Sequence, residues 1–228
     1  MSDIKEIFSE NGLVLSEEQD QKFCLYREYL KEYNEITNLT AITDDREIAV
    51  KHFLDSVQGE KFLPKNATVL DVGSGAGFPA IPLKIIRPDL KMTLLDSLNK
   101  RIVFLRSLIE KLELTDVEAV HLRAEEGAKV YREKFDAVVA RAVAPLPTLL
   151  EYTLPFVRVG GVFIAYKGNA EEELSASKNA LKILGGRLKE KEEFLLENEK
   201  RTVLIFEKTS KTPEKYPRLQ NKPRISPL

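Results

Sequence analysis

LDVGSGAGFPA, residues 70–80, joins a β-branched run to a helical one, and the way it turns decides the fold. TVLDVG (Thr68 to Gly73) is short, apolar and ends in glycine; a helical pattern then runs to Arg87. Gly73, Gly75 and Gly77 let the backbone turn sharply from strand into helix and let a ligand approach the chain closely, because no Cβ intervenes. A dinucleotide-binding fingerprint needs glycine at the first, third and sixth places of such a loop, and the sixth place here is Phe78. Asp71, two residues before the first glycine, suits a cationic ligand and would repel a pyrophosphate.

Working outward, strands alternate with helices. KMTLLD (Lys91 to Asp96), VEAVHL (Val117 to Leu122), FDAVVA (Phe135 to Ala140) and GVFIAYK (Gly161 to Lys167) read as strands. The helix between the first two, Asn99 to Leu112, lines up Ile102, Leu105, Leu108, Ile109 and Leu112 on one face. Alternation predicts parallel crossovers, and near-continuous apolar strands predict a doubly wound sheet covered on both faces. After a helix near Ser175 to Leu184, two strand-like runs, Arg187 to Leu196 and Thr202 to Glu207, are split only by ENEKR. They predict a terminal hairpin with one antiparallel strand, the feature that separates class I S-adenosylmethionine-dependent methyltransferases from plain Rossmann-like dinucleotide folds. Before the sheet, Ser16 with Gln19 forms a capping box for a helix carrying Phe23, Tyr26, Leu30 and Tyr33, and a further helical stretch runs from Asp44 toward Pro64. The expected organisation is an N-terminal helical cap (1–64), a Rossmann-like domain (65–208) and a basic C-terminal tail (209–228).

Composition narrows the function. The 228 residues are 43% hydrophobic and 31% charged, as in an ordinary globular chain. One cysteine, Cys24, excludes a disulfide framework, and with only His52 and His121 there is little material for a metal site, so none is expected. No apolar run suits a membrane span and the first residues lack a signal-peptide layout, which points to a reducing cytoplasm. The net charge of −1 argues against a generally basic nucleic-acid binder, yet Lys208 to Leu228 holds six basic residues against one acid. Charge alone reads that run as a solvated tail.

Several residues fit a methyl donor and its acceptor. Asp71 can attract the cationic end of S-adenosylmethionine. Asp96, ending the second strand, can accept hydrogen bonds from both ribose hydroxyls, or cap the next helix. Glu125 stands where an adenine-contacting loop is expected, and Phe78 lines the cleft or the core. The acceptor belongs after the fourth strand, at RAVAPL (Arg141 to Leu146). The Asp/Asn-Pro-Pro-aromatic segment used for exocyclic amines is absent there, and Cys24 is too remote to act as the nucleophile for a pyrimidine carbon. Acceptors needing no covalent help remain. Guanine N7 is one: its lone pair carries no proton, so no general base is required and orientation does the catalysis. Arg141 is then a candidate to grip the guanine O6, a phosphate or the cofactor carboxylate.

The chain resembles the RsmG (GidB) family of methyltransferases nearly end to end. NEITNLTAI (Asn34 to Ile42), KHFLDSV (Lys51 to Val57), LDVGSGAGFPAIPL, DSLNKRIVFL (Asp96 to Leu105), RAEE (Arg123 to Glu126), RAVAPL and the terminal KYPR…KP…PL carry the likeness in order. The resemblance implies methyl transfer to N7 of a guanine in the decoding-region loop of 16S ribosomal RNA; separately, the weak overall basic footprint points to a structured substrate such as an assembled small ribosomal subunit, and a monomer is expected. The resemblance also implies that Gly73, Phe78, Ala124, Glu125 and Arg141 contact S-adenosylmethionine, with Asp96, Ser97 and Leu98 beside the ribose. Asn38, His52, Asp55, Ser56, Lys100, Arg101, Lys167, Arg218 and Lys222 fall to the RNA side; His52 and Asp55 read equally well as buried packing residues. Asn221 stands where the family's terminal motif commonly has glycine. With RNA as substrate, the basic tail could lie along phosphates and stack through Tyr216. The competing reading is a small-molecule methyltransferase of the same fold, which leaves tail and N-terminal helices without a purpose.

Overall fold

The computed structural model describes residues 3–228. It opens on α1 (Asp3–Glu10) and α2 (Glu17–Thr37). The Ser16 hydroxyl accepts from Gln19 N–H and the Gln19 side chain accepts from Ser16 N–H, so both halves of the capping box form. The Asn34 side chain then binds the backbone of Leu39 and Thr40, fixing the loop that follows. The stretch expected to be one helix up to Pro64 is broken into α3 (Asp45–Glu47), a π-helical turn (Ile48–Leu54), α4 (Asp55–Val57) and a 3₁₀ turn (Glu60–Phe62). Two carbonyls of the π turn, those of Lys51 and His52, are taken up by Arg141 at 3.0 and 3.4 Å, a partner no local pattern reveals.

The remaining elements are β1 (Thr68–Val72), α5 (Ala80–Ile86), β2 (Lys91–Asp96), α6 (Asn99–Lys111), β3 (Val117–His121), α7 (Ala124–Val130), β4 (Phe135–Arg141), α8 (Leu146–Thr153), a 3₁₀ turn (Leu154–Phe156), β5 (Val157–Lys167), α9 (Glu171–Ala176), α10 (Lys178–Leu184), β6 (Gly186–Leu196), β7 (Glu199–Lys208) and α11 (Lys222–Ile225). The strands form one sheet in the order β3–β2–β1–β4–β5–β7–β6. The first five are parallel; β7 is antiparallel to both its neighbours. This is the doubly wound sheet with a terminal hairpin that the sequence predicts. The hairpin turn is tighter than ENEKR suggests: Leu196 pairs with Glu199, leaving Glu197 and Asn198 as a two-residue turn, both at positive φ.

Period-two alternation along the strands feeds two cores. On β4, Ala137 and Val139 join the cluster under α2, α5, α6 and the π turn, while Val138 and Ala140 join the cluster under α8 and α10. The N-terminal helices share the first cluster with the sheet. Residues 209–228 fold back over α8: Tyr216 and Pro223 are buried, and the wholly buried Lys208 ammonium donates to Leu154 O and Thr212, burial pushing its pKa down to about 8. The run therefore differs from a solvated tail because its apolar residues and two of its cations find partners inside the fold.

Candidate active site

A cleft of about 340 Å³ opens at the carboxyl ends of β1, β2 and β4, where the strand order reverses. Gly73 enters it from β1; its N–H donates to Leu95 O at 2.7 Å, and a Cβ there would meet Val143 at 2.7 Å, so the close approach of two loops requires glycine. Asp96 is buried at the end of β2. It accepts Gly75 N–H and Leu98 N–H, each at 2.9 Å, and faces the Arg101 guanidinium at 3.3 Å, so one carboxylate ties the glycine loop to the start of α6. Asp96 thus lines the cleft while binding the backbone of the two loops beside it; it does not cap α6, whose N-cap is Leu98 and carries no side-chain cap. Ser97, Ala124 and Glu125 line the same space; Glu125 is buried in the first turn of α7 with Arg123 at 3.9 Å. Ala142, immediately after β4, lines it at φ 56, the left-handed region where an alanine stores strain.

Beneath the loop lies a second constellation. Arg141 donates to Asp55 at 2.8 Å, sits 3.1 Å from His52 Nδ1 and lies over the Phe78 ring at 4.9 Å. Phe78 also stacks on His52, at 4.4 Å, and on Tyr26, whose hydroxyl donates to Ala76 O at 2.5 Å. Burial, reinforced by the neighbouring guanidinium, pushes His52 down to about 3, so it is neutral; its Nε2 pairs with the Thr40 hydroxyl at 2.8 Å. Asp71 does not reach the cleft. Its carboxyl is fully buried, neither oxygen has a hydrogen-bond partner among the described residues, and burial raises its pKa well above the carboxylate range.

The residues singled out from sequence therefore fall in several places. Gly73, Asp96, Ser97, Ala124 and Glu125 are brought together in the cleft, with Arg101 on its edge. Gly75 and Leu98 reach it through their hydrogen bonds to Asp96; Gly77 is packed against Ile81 and Tyr26, and Phe78 and Arg141 form the constellation below. Among the RNA candidates, Lys167 is committed to Glu173 and Ala144 O, and Arg218 to the buried Glu151. Lys100 donates to Thr37 O at 3.0 Å, and Lys222 is exposed in α11. Tyr152, Val143, Asn221 and Arg224 also line the cleft and were not foreseen. Val143 lies inside the RAVAPL segment, and Asn221 stands out as a departure from glycine; it adopts φ 57, the conformation glycine would supply.

Chemically, the cleft offers acceptor-only carboxylates and glycine backbone, which suits a nucleoside with a vicinal diol, and its volume lies at the lower end of small-ligand sites. Among the described residues no helix is long and apolar enough to cross a membrane.

Comparison with known proteins gives a family model described as "rRNA small subunit methyltransferase G", matching residues 19–203. A ribosomal RNA small subunit methyltransferase G of Acetivibrio thermocellus is 54% identical, covering 95% of this chain and 92% of its own length. One from Lactobacillus acidophilus is 53% identical, covering 96% and 95%. Among solved structures, M. jannaschii TYW2 in complex with AdoMet superposes with a TM-score of 0.53 at 17% identity, over 68% of this chain and 76% of that one; this likeness concerns the fold.

Proposed function

Because the chain belongs to the rRNA small subunit methyltransferase G family, we propose that it transfers a methyl group from S-adenosylmethionine to N7 of a guanine in small-subunit ribosomal RNA. Asp96 carries the reading: a buried carboxylate at the end of β2, already organising the glycine loop, with its oxygens at the cleft. Asp96 would hold the ribose hydroxyls, Ser97 and Leu98 would flank them, and Ala124 and Glu125 would meet the base. The donor supplies an activated methyl on a sulfonium.

The chain's own part is placement. Guanine N7 has no proton to lose, and the neutral His52 is not poised as a base: it is held by Thr40 and stacked on Phe78. Arg141, clamped by Asp55 and the π-turn carbonyls, is a positioning residue that fixes Phe78 and the strained Ala142 at the acceptor end of β4. We assign residues 1–64, the exposed Lys100 and Lys222, and the half-buried Arg101 to the RNA side; Lys167 and Arg218 act through the internal ion pairs that shape it. The test is to identify the nucleoside formed from labelled donor and ribosomal RNA. 7-Methylguanosine is expected; a base methylated on an exocyclic amine or a ring carbon contradicts the N7 assignment.

A further inference from the structure

Asn221 and Arg224 reach the cleft beside Tyr152 and Glu125. The segment that brings them there is firmly anchored. Glu151, wholly buried in α8, accepts from the Arg218 backbone at 2.8 Å and from its guanidinium at 2.9 and 2.6 Å. Thr148, one turn earlier on that helix, donates to Pro223 O at 2.8 Å, and Arg132 donates to Tyr216 O. From these anchors the chain turns at Asn221 and sends two side chains across the cleft. Asn221 Oδ1 accepts from Arg123 at 2.9 Å, on the loop that leads to Glu125. Arg224 donates to Val143 O at 3.3 Å, on the loop after β4 whose Val143 side chain crowds Gly73. The segment therefore touches both banks.

The charges say what it meets. Three cations line the cleft. Arg101 faces Asp96 and Arg123 faces Glu125, whereas Arg224 meets a neutral carbonyl and spends one of its five donors there. A planar guanidinium beside Tyr152 and Glu125 is suited to stack on, or donate to, a purine with exposed ring acceptors. We propose that residues 216–226 form a hook completing the wall around the nucleoside part of S-adenosylmethionine, with Arg224 and Asn221 as cofactor-contacting residues. Docking of the hook and binding of the cofactor then favour each other, since whatever binds the docked form preferentially stabilises it. This rests on the cofactor reading above.

The test measures binding by calorimetry with S-adenosylhomocysteine and with 5′-methylthioadenosine, which keeps the nucleoside but lacks the amino acid. Arg224→Ala, and separately Asn221→Gly, which keeps the left-handed turn while removing the amide, are expected to weaken both ligands about tenfold. In the unaltered chain, S-adenosylhomocysteine is expected to slow tryptic cleavage after Arg218 and Arg224 several-fold. If the unaltered chain binds S-adenosylhomocysteine but both variants match it within twofold, or if cleavage is not slowed, the hook is overturned while the cofactor reading stands. If Arg224→Ala weakens S-adenosylhomocysteine and spares 5′-methylthioadenosine, the nucleoside assignment is overturned. If the unaltered chain binds neither, the cofactor reading falls and the hook with it.

Discussion

Asp96 concentrates more of the site than any other side chain, because Gly75, Leu98 and Arg101 all point donors at it. Asp96→Ala is expected to weaken S-adenosylhomocysteine about 100-fold, the size of two lost hydrogen bonds to a charged acceptor; a calorimetric titration measures it, and an unchanged affinity would remove Asp96 from the ribose. His52 makes a pH prediction. Its folded pKa of about 3 lies below the ordinary 6.5, so the fold binds the neutral ring. The stability this contributes is fully present above pH 6.5 and is lost as pH falls toward 3, by up to about 1.4 kcal/mol per pH unit. His52→Asn removes that dependence. Denaturant unfolding between pH 7 and pH 4 should show the gap between wild type and variant shrinking as pH falls; a constant gap contradicts the buried neutral histidine.

At the scale of elements, the glycine loop and the C-terminal segment are held by contacts that local sequence does not encode. Gly77 has φ 98, and a Cβ there would lie 2.8 Å from both Ile81 and the Tyr26 hydroxyl, so Gly77→Ala is expected to cost about 2–3 kcal/mol in chemical denaturation. Arg218→Ala strands the buried Glu151 carboxylate and should cost about 3 kcal/mol, whereas the double replacement Arg218→Met with Glu151→Leu should recover most of it. These contacts also mark where the sequence was readable. The strands, the Ser16 capping box and the glycine turn were legible because a period of two, a capping pair and a run of Gly residues are local signals. The π turn was not, since Arg141 lies about ninety residues from the carbonyls it binds, and neither was the hook, since Arg218 finds Glu151 across 67 residues. The burial of Asp71 was illegible for the same reason: its place in the chain shows an acid before a glycine loop, but only packing shows that its carboxyl is enclosed and that burial favours its neutral form.

Over the whole molecule, the chain has a net charge of −1, and several of the cations read from sequence as facing phosphates are committed inside it: Lys208 to Glu133 and Leu154 O, Arg218 to Glu151, and Lys167 to Glu173. So small an electrostatic footprint predicts a substrate recognised by shape, and hence faster methylation of assembled small ribosomal subunits than of protein-free RNA. The most direct measurement is transfer of label from S-adenosylmethionine to small ribosomal subunits that lack their own methylations, followed by mapping of the labelled nucleotide. Label confined to N7 of one guanine in the decoding-region loop is the predicted result. Tight binding of the cofactor with no label on any RNA would contradict it, and would give the cleft to a small-molecule acceptor instead.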